Sequence, residues 1–126
     1  MSKLNKIVLI ADDDFDYLFQ IKFRLESEGF DTITASSQKE AEAIIENMDF
    51  DAAVFDLMME NDDSGFILAY KTKKKKPKVP VIISTNVASE TGLHFNNETS
   101  WIKADIYLEK GVESEKIAEE LKKFLK

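Results

Sequence analysis

Asp12, Asp13, Asp56, Thr85 and Lys110 each stand at or just beyond the point where an apolar run of this chain breaks off. The run over 7–11 stops at the acidic pair. The run over 52–55 ends in the single carboxylate of Asp56, followed by an acidic loop that closes at Gly65. Thr85 and Lys110 follow the runs over 81–83 and 104–108. Carboxylates in a chain with no cysteine suit Mg2+, or Mn2+, rather than zinc. A carboxylate beside such a cation, an ammonium and a hydroxyl is the set that in-line phosphoryl transfer requires. Asp56 can attack as nucleophile while the cation and Lys110 neutralise the equatorial oxygens. Taken singly, Asp56 is equally well an ordinary solvated residue at a strand end, so the choice turns on whether the fold gathers the set.

The elements that would gather it follow from the apolar pattern. Continuous runs rich in branched residues mark strands buried on both faces, which makes 7–11, 52–55 and 81–83 central strands; 30–35 alternates and reads as a short strand, and 104–108 reads as the last one. Phe15, Leu18, Ile21 and Leu25 recur at helical spacing, with Phe19 and Phe23 widening the stripe. Gly29 is placed to end that helix. Ser37 with Glu40 three residues on is a capping-box signature, and the helix it opens is expected to bury Ala41, Ile44, Ile45 and Met48. Residues 66–75 read as a helix with Phe66, Ile67 and Tyr70 on one side, and Ile117, Leu121, Phe124 and Leu125 predict an amphipathic C-terminal helix. The polar stretch 87–103, with scattered Leu93, Phe95, Trp101 and Ile102, is expected to hold one short or irregular helix.

Five strands alternating with about five helices predict a doubly wound α/β fold, a five-stranded parallel sheet in the order 2-1-3-4-5 with helices on both faces. All C-terminal strand tips then lie on one edge, and the three carboxylates, the hydroxyl and the ammonium converge there. Such carboxylates repel, by about 1 kcal/mol per pair in water and about 4 at an effective dielectric near 20. A divalent cation or a cationic side chain makes the cluster tolerable.

Composition narrows the rest. A length of 126 residues suits one compact domain over 1–126 with a real core. The formal charge of −7 argues against nucleic-acid binding by the domain as a whole. No stretch approaches the roughly 20 apolar residues of a membrane span, the N-terminus leaves no room for a secretory signal, and the lack of cysteine is compatible with the cytoplasm. The basic run Lys71, Lys73 to Lys76 and Lys78 reads as a solvated helix end favoured by the helix dipole, with docking to an acidic partner as the sharper alternative. His94, Trp101, Asp14, Asp62 and Asp63 read as surface or packing residues.

The chain resembles the response-regulator receiver domains of two-component signalling over essentially its full length. The residues that carry the likeness are Ala11-Asp12-Asp13, Val54-Phe55-Asp56-Leu57-Met58-Met59, Thr85 after Pro80-Val-Ile-Ile-Ser84, and Lys110 in Tyr107-Leu-Glu-Lys110. Each is weak alone; four in order at the ends of the right strands are specific. The resemblance implies a flavodoxin-like receiver fold, here standing alone without an output domain. It implies that Asp56 accepts a phosphoryl group from a histidine kinase or phosphotransfer protein. Asp12, Asp13 and Asp56 would hold Mg2+ with the backbone carbonyl of Met58, and Lys110 would pair with the aspartate or its phosphate. Thr85 would turn toward the phosphoryl oxygen, and Tyr107 would swing inward behind it as the switch aromatic. A downstream protein would then bind or leave, with the receiver a monomer or weak homodimer.

Several residues depart from the family's pattern. Glu60 stands where proline is usual and Gly65 falls one residue late, so the loop beside the site is longer and more acidic. Gly111 replaces the proline after the lysine, where a cis bond without proline costs roughly 2.5–4 kcal/mol. Asn86 replaces a small residue, and the 25 positions from Thr85 to Lys110 (110 − 85) exceed the usual spacing. Met58 and Val87, two residues after the aspartate and two after the threonine, hold the positions that tune hydrolysis in the family; both are apolar and cannot orient water, which predicts slow self-dephosphorylation. These departures keep open a pseudo-receiver that binds partners without being phosphorylated. An aspartyl-phosphate phosphatase fits less well, because Met58 stands where such an enzyme needs a second aspartate. Dinucleotide binding is weaker still, with no glycine loop after the first strand.

Overall fold

The computed structural model describes residues 6–57, 59, 61, 63–85, 105–109 and 114–125, apart from the side chains of Thr85, Ile106, Tyr107, Glu109, Ser114 and Glu115. In chain order the elements are β1 (Ile7–Ala11), α1 (Phe15–Ser27), β2 (Asp31–Ala35), α2 (Gln38–Asn47), β3 (Ala52–Asp56), α3 (Ser64–Lys75), β4 (Val81–Thr85), β5 (Ile106–Glu109) and α4 (Ser114–Phe124). The strands form one parallel sheet in the order β2-β1-β3-β4-β5, as the alternation of strands and helices predicts. The helix expected within 87–103 lies outside the described residues.

The sheet divides the core in two by the period-2 alternation of a strand. Leu9, Ala11, Ala53, Phe55, Val81 and Ile83 pack toward α2 and α3, meeting Ala41, Ile45, Phe66, Leu68 and Ala69. Val8, Ile10, Ala52, Val54 and Ile82 pack on the other face against Leu18, Ile21 and Leu25 of α1 and Ile117, Ala118 and Leu121 of α4. With both faces covered, the central strands have no polar side to show, which is why they read as unbroken apolar runs.

Local chemistry sets where the helices start and stop. Asp14 is the N-cap of α1, its Oδ1 accepting from Asp16 N at 3.0 Å and Tyr17 N at 3.2 Å. It is therefore a helix cap and not a bystander acid. Gly29, at φ 100°, ends α1. Gly29 N donates to Glu26 O and Phe30 N to Leu25 O, the paired bonds of a Schellman motif, with the following Phe30 buried. Ser37 caps α2 through Glu40 N at 3.1 Å, while the Glu40 carboxylate reaches back to Ser36 N at 2.6 Å, one residue further than a standard capping box.

Four apolar expectations are corrected. Phe15 does not belong to the buried stripe of α1, and Phe19 and Phe23 do not widen it; they are 70%, 66% and 68% exposed, because their i, i+4, i+8 ridge is rotated away from the Leu18–Ile21–Leu25 row that meets the sheet. Met48 caps the C-terminus of α2 and is exposed. In α3 the buried face is Phe66, Leu68, Ala69 and Thr72, with Tyr70 turned outward, and Phe124 of α4 is likewise exposed.

Candidate metal centre

Each acid of the centre is delivered by the end of a strand. Asp12 follows β1 directly; its backbone N–H donates to Ala35 O of β2 at 3.0 Å and its Oδ1 accepts from Asp14 N at 2.9 Å. The same short segment thus fixes Asp12 and starts α1. Asp56 is the last residue of β3, beside Ser84 of β4 in the strand register, while the preceding Phe55 lies beside Ala11 of β1. Because β1 and β3 are neighbours, the acids that end them are neighbours too. Asp12 and Asp56 are 2% and 6% exposed, and Asp13 faces solvent. One carboxylate oxygen from each of Asp12, Asp13 and Asp56 lies within 4.8 Å of the others.

Burial removes water from two of these acids, so their mutual repulsion is felt at a lower effective dielectric than in solution. A cluster of hard oxygen donors, with neither thiolate nor imidazole among them, matches the preference of Mg2+ or Mn2+. The residues present therefore fit such a cation, two of the three acids being buried and the third open to solvent.

The backbone behind Asp56 is held tightly. Leu57 N donates to Ser84 O at 2.9 Å and Gly65 N to Leu57 O at 2.7 Å. A Cβ on Gly65 would lie 2.7 Å from both Asp56 O and Leu57 Cα, so only glycine allows α3 to approach this peptide. Next to it, the fully buried Ser64 shares its hydroxyl with Gln38 Oε1 at 2.6 Å and Asn61 O at 3.1 Å, and accepts from Asn61 N at 3.1 Å. Asn61 Nδ2 also donates to Gln38 Oε1 at 3.0 Å. On the α1 side, the Tyr17 and Ser84 hydroxyls are paired at 3.3 Å.

Of the residues expected at the site, Asp12, Asp13 and Asp56 are brought together. Thr85 ends β4 on the same edge, in register with Glu109, and Tyr107 pairs along the backbone with Ile83. Lys110, Met58, Val87, Glu60, Asn86 and Gly111 lie outside the described residues. The Gln38–Asn61–Ser64 cluster escaped the sequence argument, since polar residues scattered over 26 positions carry no periodic signal. Asp51 and Asp105 also went unnoticed. Asp51 accepts from Ile7 N and Asp105 from Val81 N, both at 2.8 Å, holding the opposite edge of the sheet in register.

The lysine run has a structural account. Lys71 and Lys75 of α3 pair with Glu42 and Glu46 of α2, Lys76 reaches Asp49, and Lys73 meets Asp105 at 2.8 Å. Most of the run fastens α3 to its neighbours.

Comparison with known proteins agrees with this geometry. Response regulator SaeR of Staphylococcus aureus is 31% identical over 103 residues, covering 82% of this chain and 43% of that protein. The alginate biosynthesis transcriptional regulatory protein AlgB of Pseudomonas aeruginosa is 32% identical over 78 residues, 62% of this chain and 17% of that protein. The chain thus spans less than half the length of these curated relatives. Among solved structures, a CheY-like receiver domain protein from Methanospirillum hungatei superposes with a TM-score of 0.81 at 29% identity, covering 96% of this chain and 94% of that one. TrrA from Thermotoga maritima, solved in complex with Mg(2+)-BeF, superposes with a TM-score of 0.79 at 25% identity, covering 94% and 98%. The response regulator receiver domain family model matches residues 8–122, and with the acidic edge of a parallel 2-1-3-4-5 sheet this makes the chain a member of the receiver-domain family of two-component signalling.

Proposed function

We propose that this chain is a receiver that takes a phosphoryl group on Asp56 from a phosphohistidine of a histidine kinase or phosphotransfer protein, and thereby switches its binding to a downstream protein. The observation that carries the reading is the convergence of Asp12, Asp13 and Asp56 within 4.8 Å at the carboxyl edge. An Asp56 carboxylate oxygen attacks phosphorus, the P–N bond breaks, and the imidazole leaves with its electron pair. Asp12 and Asp13, with Asp56 and the Met58 backbone carbonyl, would hold Mg2+. When bound, that ion supplies positive charge against the phosphoryl oxygens. Lys110 adds a second positive charge, Thr85 receives a phosphoryl oxygen, and Tyr107 carries the change outward. Met58 and Val87, apolar at the two sequence positions that tune hydrolysis in the family, cannot orient a water, and the acyl phosphate persists. The reading includes a cytoplasmic location and a domain, monomeric or weakly dimeric, that does not itself bind nucleic acid.

The exposed phenylalanines of α1 favour a protein donor. Phe15 begins one residue after the cap that follows the acidic pair, and the ridge runs on through Phe19 to Phe23. At roughly 200 Å² per ring, about two-thirds exposed, it offers on the order of 400 Å² of apolar surface. That is about half the usual contribution of one partner to a stable complex, and suits an encounter that must turn over. Two copies joined through it would stay below the stable class, and the charge of −7 on each opposes them.

The test is incubation with Mg2+ and a small acyl phosphate, read by intact mass. One added phosphoryl group, absent in Asp56→Asn and long-lived in buffer, is expected. No adduct, together with no response to beryllofluoride, would overturn the proposal in favour of a phosphorylation-independent module.

A further inference from the structure

The phosphoacceptor strand is gripped from the α2–α3 side by groups with no place in the chemistry itself. Gly65 presses its Cα against the Asp56–Leu57 peptide, closely enough that a methyl group there would meet two backbone atoms at 2.7 Å. Gly65 has no side chain with which to hold that position. The residue before it, Ser64, is wholly buried, and its hydroxyl lies 2.6 Å from Gln38 Oε1, on the first residue of α2. The same Gln38 oxygen accepts from Asn61 Nδ2, so one atom of α2 fastens both the loop after Asp56 and the start of α3. Gln38 is oriented in turn, its Nε2 donating to Glu42 Oε2 at 2.9 Å. The loop secured in this way is the one that is longer than the family's and ends in the late glycine.

We infer that Gln38 is a positioning residue for the metal centre: through Ser64 and Gly65 it seats the Asp56–Leu57 peptide and so sets the Asp56 carboxylate against Asp12 and Asp13. The inference rests on the acidic cluster being a divalent-cation site. Its mechanism is that of outer partners of metal ligands generally, whose loss costs affinity by loosening the ligand's aim. Gln38→Ala removes the acceptor; Gln38→Glu combined with Glu42→Gln keeps it, and keeps the pairing of the two side chains with donor and acceptor exchanged and the net charge unchanged.

The experiment is Mn2+ titration of the full chain by electron paramagnetic resonance, with a thermal melt of each variant. Gln38→Ala is expected to weaken Mn2+ binding about tenfold, with the Gln38→Glu/Glu42→Gln double variant retaining most of it. Ser64→Ala is expected to weaken binding similarly and to add little in the Gln38→Ala background, since both remove one link. Unchanged Mn2+ affinity in Gln38→Ala overturns the inference while leaving the cation site standing. So does a Gln38→Glu/Glu42→Gln double variant as weak as Gln38→Ala, because the acceptor would then not be what matters. Failure of the unsubstituted protein to bind Mn2+ overturns the metal reading itself, and this inference with it.

Discussion

Asp13→Asn isolates the electrostatics of the acidic edge. Asp13 is exposed, its carboxylate is within 4.8 Å of those of Asp12 and Asp56, and Asn preserves its shape. Two unit charges at that separation repel by about 0.9 kcal/mol at the dielectric of water, and about 3.5 at an effective value near 20. Because Asp13 is in solvent, the lower figure is the better guide, and with two neighbours the relief is about 1–2 kcal/mol. For a domain of this size that is a rise of several degrees in Tm. The assay is thermal unfolding in EDTA and again in excess Mg2+. The variant should melt higher than the parent without the metal, and Mg2+ should raise the parent's Tm more than the variant's, because binding to the folded state alone stabilises it. A variant that melts lower in EDTA, or an equal response of both proteins to Mg2+, would refute the argument.

Gly65→Ala is expected to cost about 1–3 kcal/mol in urea unfolding, the range for forcing a methyl group into packed atoms, and to slow acyl-phosphate labelling of Asp56 as well. Phe19→Ser should leave urea stability within about 0.5 kcal/mol, since the ring is mostly in solvent. It should still accept phosphoryl from a small acyl phosphate at the parent rate while losing transfer from a phosphorylated histidine protein; equal loss with both donors would show damage to the site instead. Lys122, by donating to Glu28 and with Arg24 behind it, holds the Glu28 carboxyl below its usual range. A carboxyl so lowered stabilises the fold at neutral pH, and the contribution fades as acid takes the pH down through the lowered value. Lys122→Ala should therefore melt below the parent at pH 7 and converge with it in strong acid, which melts across the acid range would check.

The two-faced burial of β1, β3 and β4 made the sheet legible, because strands without a polar side leave unbroken runs in the sequence. The acids at their tips followed, since a parallel sheet puts every C-terminal end on one edge. Helix orientation was less legible. In α1 six apolar residues span more than half the helix circumference, so periodicity alone favoured one wide stripe; contact with a flat sheet reaches only Leu18, Ile21 and Leu25. The capping box at Ser37 and the stop at Gly29 were visible because each needs particular residue types at fixed offsets. The Gln38 latch and the strand-edge acids Asp51 and Asp105 were not, since what defines them is proximity created only by folding.

The sheet that splits the core also separates two kinds of change. Substitutions among Leu18, Ile21, Ile117 and Leu121 have no shared partners with those among Ile45, Phe55, Leu68 and Ile83, so their effects should add to within about 0.5 kcal/mol. The phenylalanine ridge rides on the first group and the clamp on Asp56 is built on the second. Substitutions along the exposed ridge of Phe15, Phe19 and Phe23 should therefore leave the α2–α3 grip on the Asp56–Leu57 peptide undisturbed, one side of the wall open to change while the other is held by its packing.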